Sequence, residues 1–154
     1  MRGLQVLCTI ETSILNKIRD LSRMPEVVAQ LAEQHGLSED AVFSINVALD
    51  EMLSNIIKYG YTDDAIHEIR IRLSVGDTML VAEIEDDGQP FDPCAAGPVD
   101  VDAPLEDRKV GGLGIHIVRQ LMEEVGYARV DGRNRLVMKM LLEPKTKKDF
   151  HGTE

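Results

Sequence analysis

Three short constellations carry side chains able to do chemistry. Glu51 and Asn55 lie four residues apart within VALDEMLSNIIKYGY, so on a helix their side chains project to the same side. If a nucleotide lay across them, the Asn55 amide oxygen would be a neutral ligand of the kind Mg²⁺ accepts beside phosphate oxygens and water. The Glu51 carboxylate could then take the proton from an attacking hydroxyl or water during phosphoryl transfer. At about 100° per residue, Asp40, Ser44, Glu51, Asn55 and Lys58 form one polar stripe opposite Ile45, Leu49, Met52 and Ile56. A plain solvated helix face would show the same stripe.

The second constellation is Asp86-x-Gly88-x-Pro90-Phe91, which follows a strand pattern and is a turn whatever else it does. A buried Asp86 there would accept from an exocyclic amine, Gly88 would let a flat ring come close, and Phe91 would add apolar wall. The third is Gly111-Gly112-x-Gly114 at the start of a helix, where free backbone N–H groups and the helix dipole favour anions. Arg108 and Lys109 stand just before it and could swing onto a terminal phosphate; as solvated loop charges they need no such role. Ile117 occupies the place of the third glycine of a dinucleotide fingerprint and a loop precedes the motif, so a Rossmann site is disfavoured. No P-loop motif occurs in the chain.

These motifs need elements to position them. Leu4, Val6, Cys8 and Ile10 alternate as in a strand. From Thr12 or Ser13 to His35 the apolar residues recur at three and four, with Pro25 predicting a kink or a break into two helices. Gly36 is a helix stop, and Ser38 opens a long helix that runs to Tyr59 and ends at Gly60. Ile66 to Val75 and Met79 to Glu85 read as a hairpin around Gly76-Asp77. Residues 92 to 110 lack periodicity and form a loop longer than ordinary connections, a lid or a disordered insertion. A helix then carries Ile115, Val118, Leu121, Met122 and Val125, and two strands, Tyr127 to Val130 and Leu136 to Leu142, flank the turn Asp131-Gly132-Arg133-Asn134. The pattern predicts an α+β protein: a two-layer α/β sandwich with a mixed, mainly antiparallel sheet and about three helices on one face. It divides into one domain, residues 1–143, and a polar tail, 144–154.

Composition sets bounds. The 154 residues carry 17 basic and 27 acidic side chains, a net charge of −10, which argues against direct binding to a nucleic-acid backbone. No apolar stretch approaches the roughly 20 residues of a membrane span, and Gln5, Thr9, Glu11 and Thr12 interrupt any secretory h-region. A cytoplasmic protein is expected. Cys8 and Cys94 match no metal or redox spacing, and His35, His67, His116 and His151 are scattered singly, so each reads as a packing or surface residue.

Taken in order, the helix with E-x-x-x-N ending in K-Y-G-Y, then D-x-G-x-P-F-D-P after a strand, then a lid and G-G-L-G-I before a helix resemble the three nucleotide-binding boxes of the histidine-kinase-like ATPase superfamily. The compact form with D-x-G-x-P-F is similar to the bacterial anti-sigma factor serine/threonine-protein kinases, over about Leu4 to Leu142. The resemblance implies a Bergerat ATP-binding fold that holds ATP with Mg²⁺. It puts Glu51 at the general base, Asn55 at the metal ligand, Asp86 and Gly88 at the adenine site, and Gly112, Leu113, Gly114 and Ile115 at the phosphate loop. Arg108 or Lys109 falls on the lid cation. Lys58 stands where many relatives have histidine, and Asn134 and Arg135 lie where relatives have a threonine that helps to hold adenine. Members bind a sigma factor, phosphorylate a STAS-type antagonist and are often homodimers. The implied activity is an ATP phosphotransferase and anti-sigma factor acting in partner switching. The alternative is a module that binds ATP or ADP without transferring phosphate to a protein.

Overall fold

The structure is a computed structural model that describes residues 6–92 and 112–143. Arg108, Lys109, Cys94 and the polar tail lie outside the described residues. Strand β1 (Val6–Leu15) leads through a 3-10 turn (Ile18–Ser22) into α1 (Arg23–His35) and α2 (Glu39–Tyr59). The hairpin β2 (Glu68–Gly76) and β3 (Met79–Asp86) follows, then α3 (Gly112–Leu121), β4 (Glu124–Val130) and β5 (Arg133–Leu141). The sheet order is β1-β2-β3-β5-β4, and all four pairings are antiparallel.

β1 is longer than its alternation suggests. Residues 11–15 fit a helical spacing with Ile18 but equally fit a strand, since Ile14 is buried and Leu15 exposed. Pairing decides between them: Thr12 lies opposite Ile71 and Ile14 opposite Ile69, so tertiary contact overrides the local pattern. Pro25 stands third in α1, within the first turn, where its missing N–H breaks no helical bond. The break falls before it, at the 3-10 turn.

Helix ends follow their sequence signals. Gly36 takes a left-handed conformation (φ 65°) and returns its N–H to Ala32 O. The Ser38 hydroxyl accepts from Ala41 N at 3.1 Å. Gly60 N donates to Ile56 O at 2.7 Å and closes α2.

The core lies between the helices and one face of the sheet. Ile45, Leu49, Met52 and Leu53 of α2 are buried with Ile69, Ile71 and Leu73 of β2, Ile84 of β3 and Met138 of β5. Val28 and Leu31 of α1 and Ile115 and Val118 of α3 join the same cluster. The other face carries charge: Glu11, Arg72 and Glu83 form a cross-strand ladder, and Glu85 lies between Arg133 and Arg135. These pairs are exposed or half-buried and set register more than stability. α2 is thus packed on one side and free to present polar residues on another. No helix among the described residues is long and apolar enough to cross a membrane.

Candidate functional site

α2 touches both glycine motifs, one near its middle and one at its end. Glu51 lies against the first turn of α3: a methyl group built on Gly114 would overlap Glu51 Oε2 and stand 3.1 Å from Cδ. A single missing side chain therefore lets the carboxylate reach the helix end, where orphan N–H groups and the dipole favour negative charge. At the other end, a methyl on Gly88 would overlap the carbonyl oxygen of Gly60 and come to 2.9 Å from Asp86 Oδ1. Gln89 N donates to Gly60 O at 2.7 Å, and Gln89 Nε2 donates to Tyr59 O. The terminal carbonyls of α2 are thereby capped by the loop that follows β3.

Asn55, one turn beyond Glu51, is 7% exposed, and its amide nitrogen has no hydrogen-bond partner among the described residues. A buried amide NH₂ left unpaired is uncommon and, being a donor, invites an acceptor such as a phosphate or water oxygen. Among the described residues no three His, Cys, Asp or Glu side chains cluster as a metal site. Mg²⁺ is held by oxygen atoms, commonly one or two from the protein beside waters and phosphate oxygens, so the Asn55 atom that could ligate it is Oδ1.

Asp86, at the end of β3, is only 2% exposed. Both hydrogen bonds it accepts from the described residues fall on Oδ1: one from Gly88 N at 2.8 Å, the other from Asn134 Nδ2 at 3.0 Å. Burial pushes its carboxyl above the ordinary range, and those two donors pull the other way. Asn134 also donates to Gln89 O at 2.8 Å and accepts from the Tyr127 hydroxyl and Arg129 Nη1. Arg129 Nη1 in turn donates to Gly88 O at 2.7 Å.

A second cluster flanks Asp86. His67 Nδ1 meets Asp87 at 3.1 Å, and Nε2 meets Asp63 at 2.9 Å. The two carboxylates hold its imidazole above the ordinary histidine range. Tyr61 stacks on the His67 ring at 4.5 Å between centroids, and burial, with Asp86 and Asp87 near, pushes its phenol up.

Of the residues singled out in the sequence, Glu51 and Gly114 are brought together, and Asp86 and Gly88 form one hydrogen-bonded turn. Ile115 is buried in the core and seats α3, so its side chain is not free for a ligand. Lys58 is exposed in the last turn of α2, and Phe91 is half-buried where the described segment ends. Gly112 and Leu113 open α3. The sequence marks Tyr127 and Arg129 only as strand residues and His67 as a packing or surface residue, and it puts Asn134 in a turn, near where the resemblance has a threonine that helps to hold adenine. The turn is shorter than expected, Asp131 and Gly132 with φ of 52° and 77°, which leaves Asn134 inside β5, directly opposite Asp86. Its shared parity with Leu136, Met138 and Met140 is the signal that marks it as inward-facing.

A family model described as the histidine kinase-like ATPase domain matches residues 14–140. Serine-protein kinase RsbW of Bacillus cereus (strain AH820) is 25% identical over 144 residues, 91% of this chain and 89% of that protein. The protein of the same name in Bacillus thuringiensis (strain Al Hakam) matches to the same extent. The solved RsbU and RsbW domains of a Mycobacterium tuberculosis protein superpose with a TM-score of 0.60 at 15% identity, over 89% of this chain and 33% of that one. This chain thus spans about a third of that structure, and the likeness is one of fold. With a match that takes in all three motifs and every element from the end of β1 to β5, the chain belongs to the histidine kinase-like ATPase domain family.

Proposed function

We propose that this chain is an ATP-dependent serine/threonine protein kinase and anti-sigma factor that phosphorylates a STAS-type antagonist in the cytoplasm. The observation that carries the reading is the placement of Glu51 against the first turn of α3, with Asn55 one turn away on the same helix. The relatives named serine-protein kinase support the same reaction class.

In this reading Asp86 accepts from the exocyclic amine of adenine, Gly88 admits the ring, and Phe91 adds apolar wall. The N-terminal turn of α3, from Gly112 through Gly114, receives the phosphates through backbone N–H groups. Asn55 would hold Mg²⁺ together with phosphate oxygens, and the ion would neutralise phosphate charge, which a protein at −10 needs. Lys58, at the end of α2, adds positive charge, and Arg108 or Lys109 is the lid cation that the resemblance implies. Glu51 takes the proton from the partner's serine or threonine hydroxyl as its oxygen bonds to the γ-phosphorus and ADP leaves. An acidic surface would also attract the basic face of a sigma factor.

The test is phosphotransfer from labelled ATP to the STAS-type partner. Glu51→Gln should lower it by at least about a hundredfold and spare nucleotide binding. A variant that labels the partner at the wild-type rate removes Glu51 as base. ATP binding by the wild type with no label on the partner favours the non-kinase switching module instead.

A further inference from the structure

Asn134 uses its amide completely. Oδ1 accepts from the Tyr127 hydroxyl at 2.6 Å and Arg129 Nη1 at 3.0 Å, while Nδ2 donates to Asp86 Oδ1 at 3.0 Å and Gln89 O at 2.8 Å. Two acceptances and two donations exhaust a carboxamide. The orientation is also fixed, because a guanidinium can only donate and a flipped amide would turn its NH₂ toward Arg129. Asn134 is 5% exposed and has nothing left to offer a ligand.

Its effect on a ligand must therefore pass through Asp86. With Gly88 N and Asn134 Nδ2 both on Oδ1, the carboxylate cannot rotate without giving up two hydrogen bonds, and Oδ2, which accepts nothing from the described residues, is the oxygen left for a ligand. We propose that Asn134, locked by Tyr127 and Arg129 of β4, is a positioning residue that fixes Asp86 as an acceptor and so selects bases bearing an amine at that point. This deepens the kinase reading and rests on its adenine assignment for Asp86.

The test compares the affinity of ATP with that of purine riboside triphosphate, which lacks the exocyclic amine, by calorimetry with Mg²⁺. Asn134→Ala should weaken ATP roughly tenfold or more, the range of a lost hydrogen bond to a charged group, and change the amine-free analogue less than about twofold. Asp86→Asn should show the same selective loss, and the double variant should be no worse for ATP than Asp86→Asn alone. Asn134→Thr, which restores one donor, should recover part of the affinity. If the alanine variant does not fold, Asn134→Leu keeps the volume and the apolar face and carries the same comparison. Equal losses for both nucleotides, or fully additive losses in the double variant, overturn the proposal. A wild type that fails to prefer ATP over the analogue overturns the adenine reading of Asp86 itself, a separate outcome.

Discussion

The Glu51 carboxylate fills the space that a side chain on residue 114 would occupy. The two positions belong to different motifs, and the contact joins the middle of α2 to the first turn of α3. Because the overlapping atom is the far end of a flexible side chain, enlarging residue 114 displaces Glu51 rather than the backbone. Alanine would also raise helix propensity in α3 by up to about 1 kcal/mol. Gly114→Ala should leave thermal stability unchanged or slightly higher while phosphotransfer falls by at least about tenfold. A variant with wild-type phosphotransfer would show that the carboxylate need not sit there.

Gly88 presents the opposite case. Its neighbour is the carbonyl of Gly60, backbone at the end of α2, which can retreat only by breaking the 2.7 Å bond from Gln89 N. Gly88→Ala should cost about 1–3 kcal/mol and lower the Tm by roughly 3–10 °C. Differential scanning calorimetry without nucleotide is the direct check, and an unchanged Tm would contradict the tight approach.

Asp86 couples the site to stability through its charge. Its folded pKa lies above the ordinary 3.8, so folding favours the protonated form. The favourable contribution is whole below about pH 3.8 and is lost as pH rises through the raised folded value. At neutral pH the ionised group opposes folding. Asp86→Asn keeps an Oδ1 acceptor for Gly88 N and Asn134 Nδ2 and removes the buried charge. Its Tm at pH 7 should equal or exceed the wild type, with the difference vanishing toward pH 3.8. A variant clearly less stable at pH 7 would mean that its two donors offset the burial cost in full.

What sequence made legible was local. Gly36 by its left-handed conformation, Ser38 by its side-chain cap and Gly60 by the space its missing side chain leaves against Ile56 O bracket the helices, and Glu51 with Asn55 follows from helical spacing alone. Contacts between distant segments were not legible. Nothing near residue 114 in the chain points to Glu51, and DGRN reads as a four-residue turn until pairing with β3 draws Asn134 into the sheet. His67 looked isolated because its two partners, Asp63 and Asp87, lie one in the loop after α2 and one beyond β3. The second half of β1 was ambiguous for the reason that short apolar runs usually are: strand and helix periods both fit.

His67 ties the loop after α2 to Asp87, the residue beside Asp86, through hydrogen bonds from both ring nitrogens. Both ring nitrogens can donate only when the ring is protonated. The folded pKa is held above the ordinary 6.5 by Asp63 first and Asp87 second, so the stabilisation is fully present below about pH 6.5 and is lost as pH rises through the folded value. Asp63, whose pKa is lowered by the same contact, sets the other limit: its share is present above about pH 3.8 and disappears as pH falls through the depressed value. The tie is therefore whole between these limits. His67→Gln, neutral at every pH, should show its largest Tm deficit against the wild type within that window and converge with it on the alkaline side. An NMR titration placing the His67 midpoint at or below 6.5 would remove the ion-pair account of this loop.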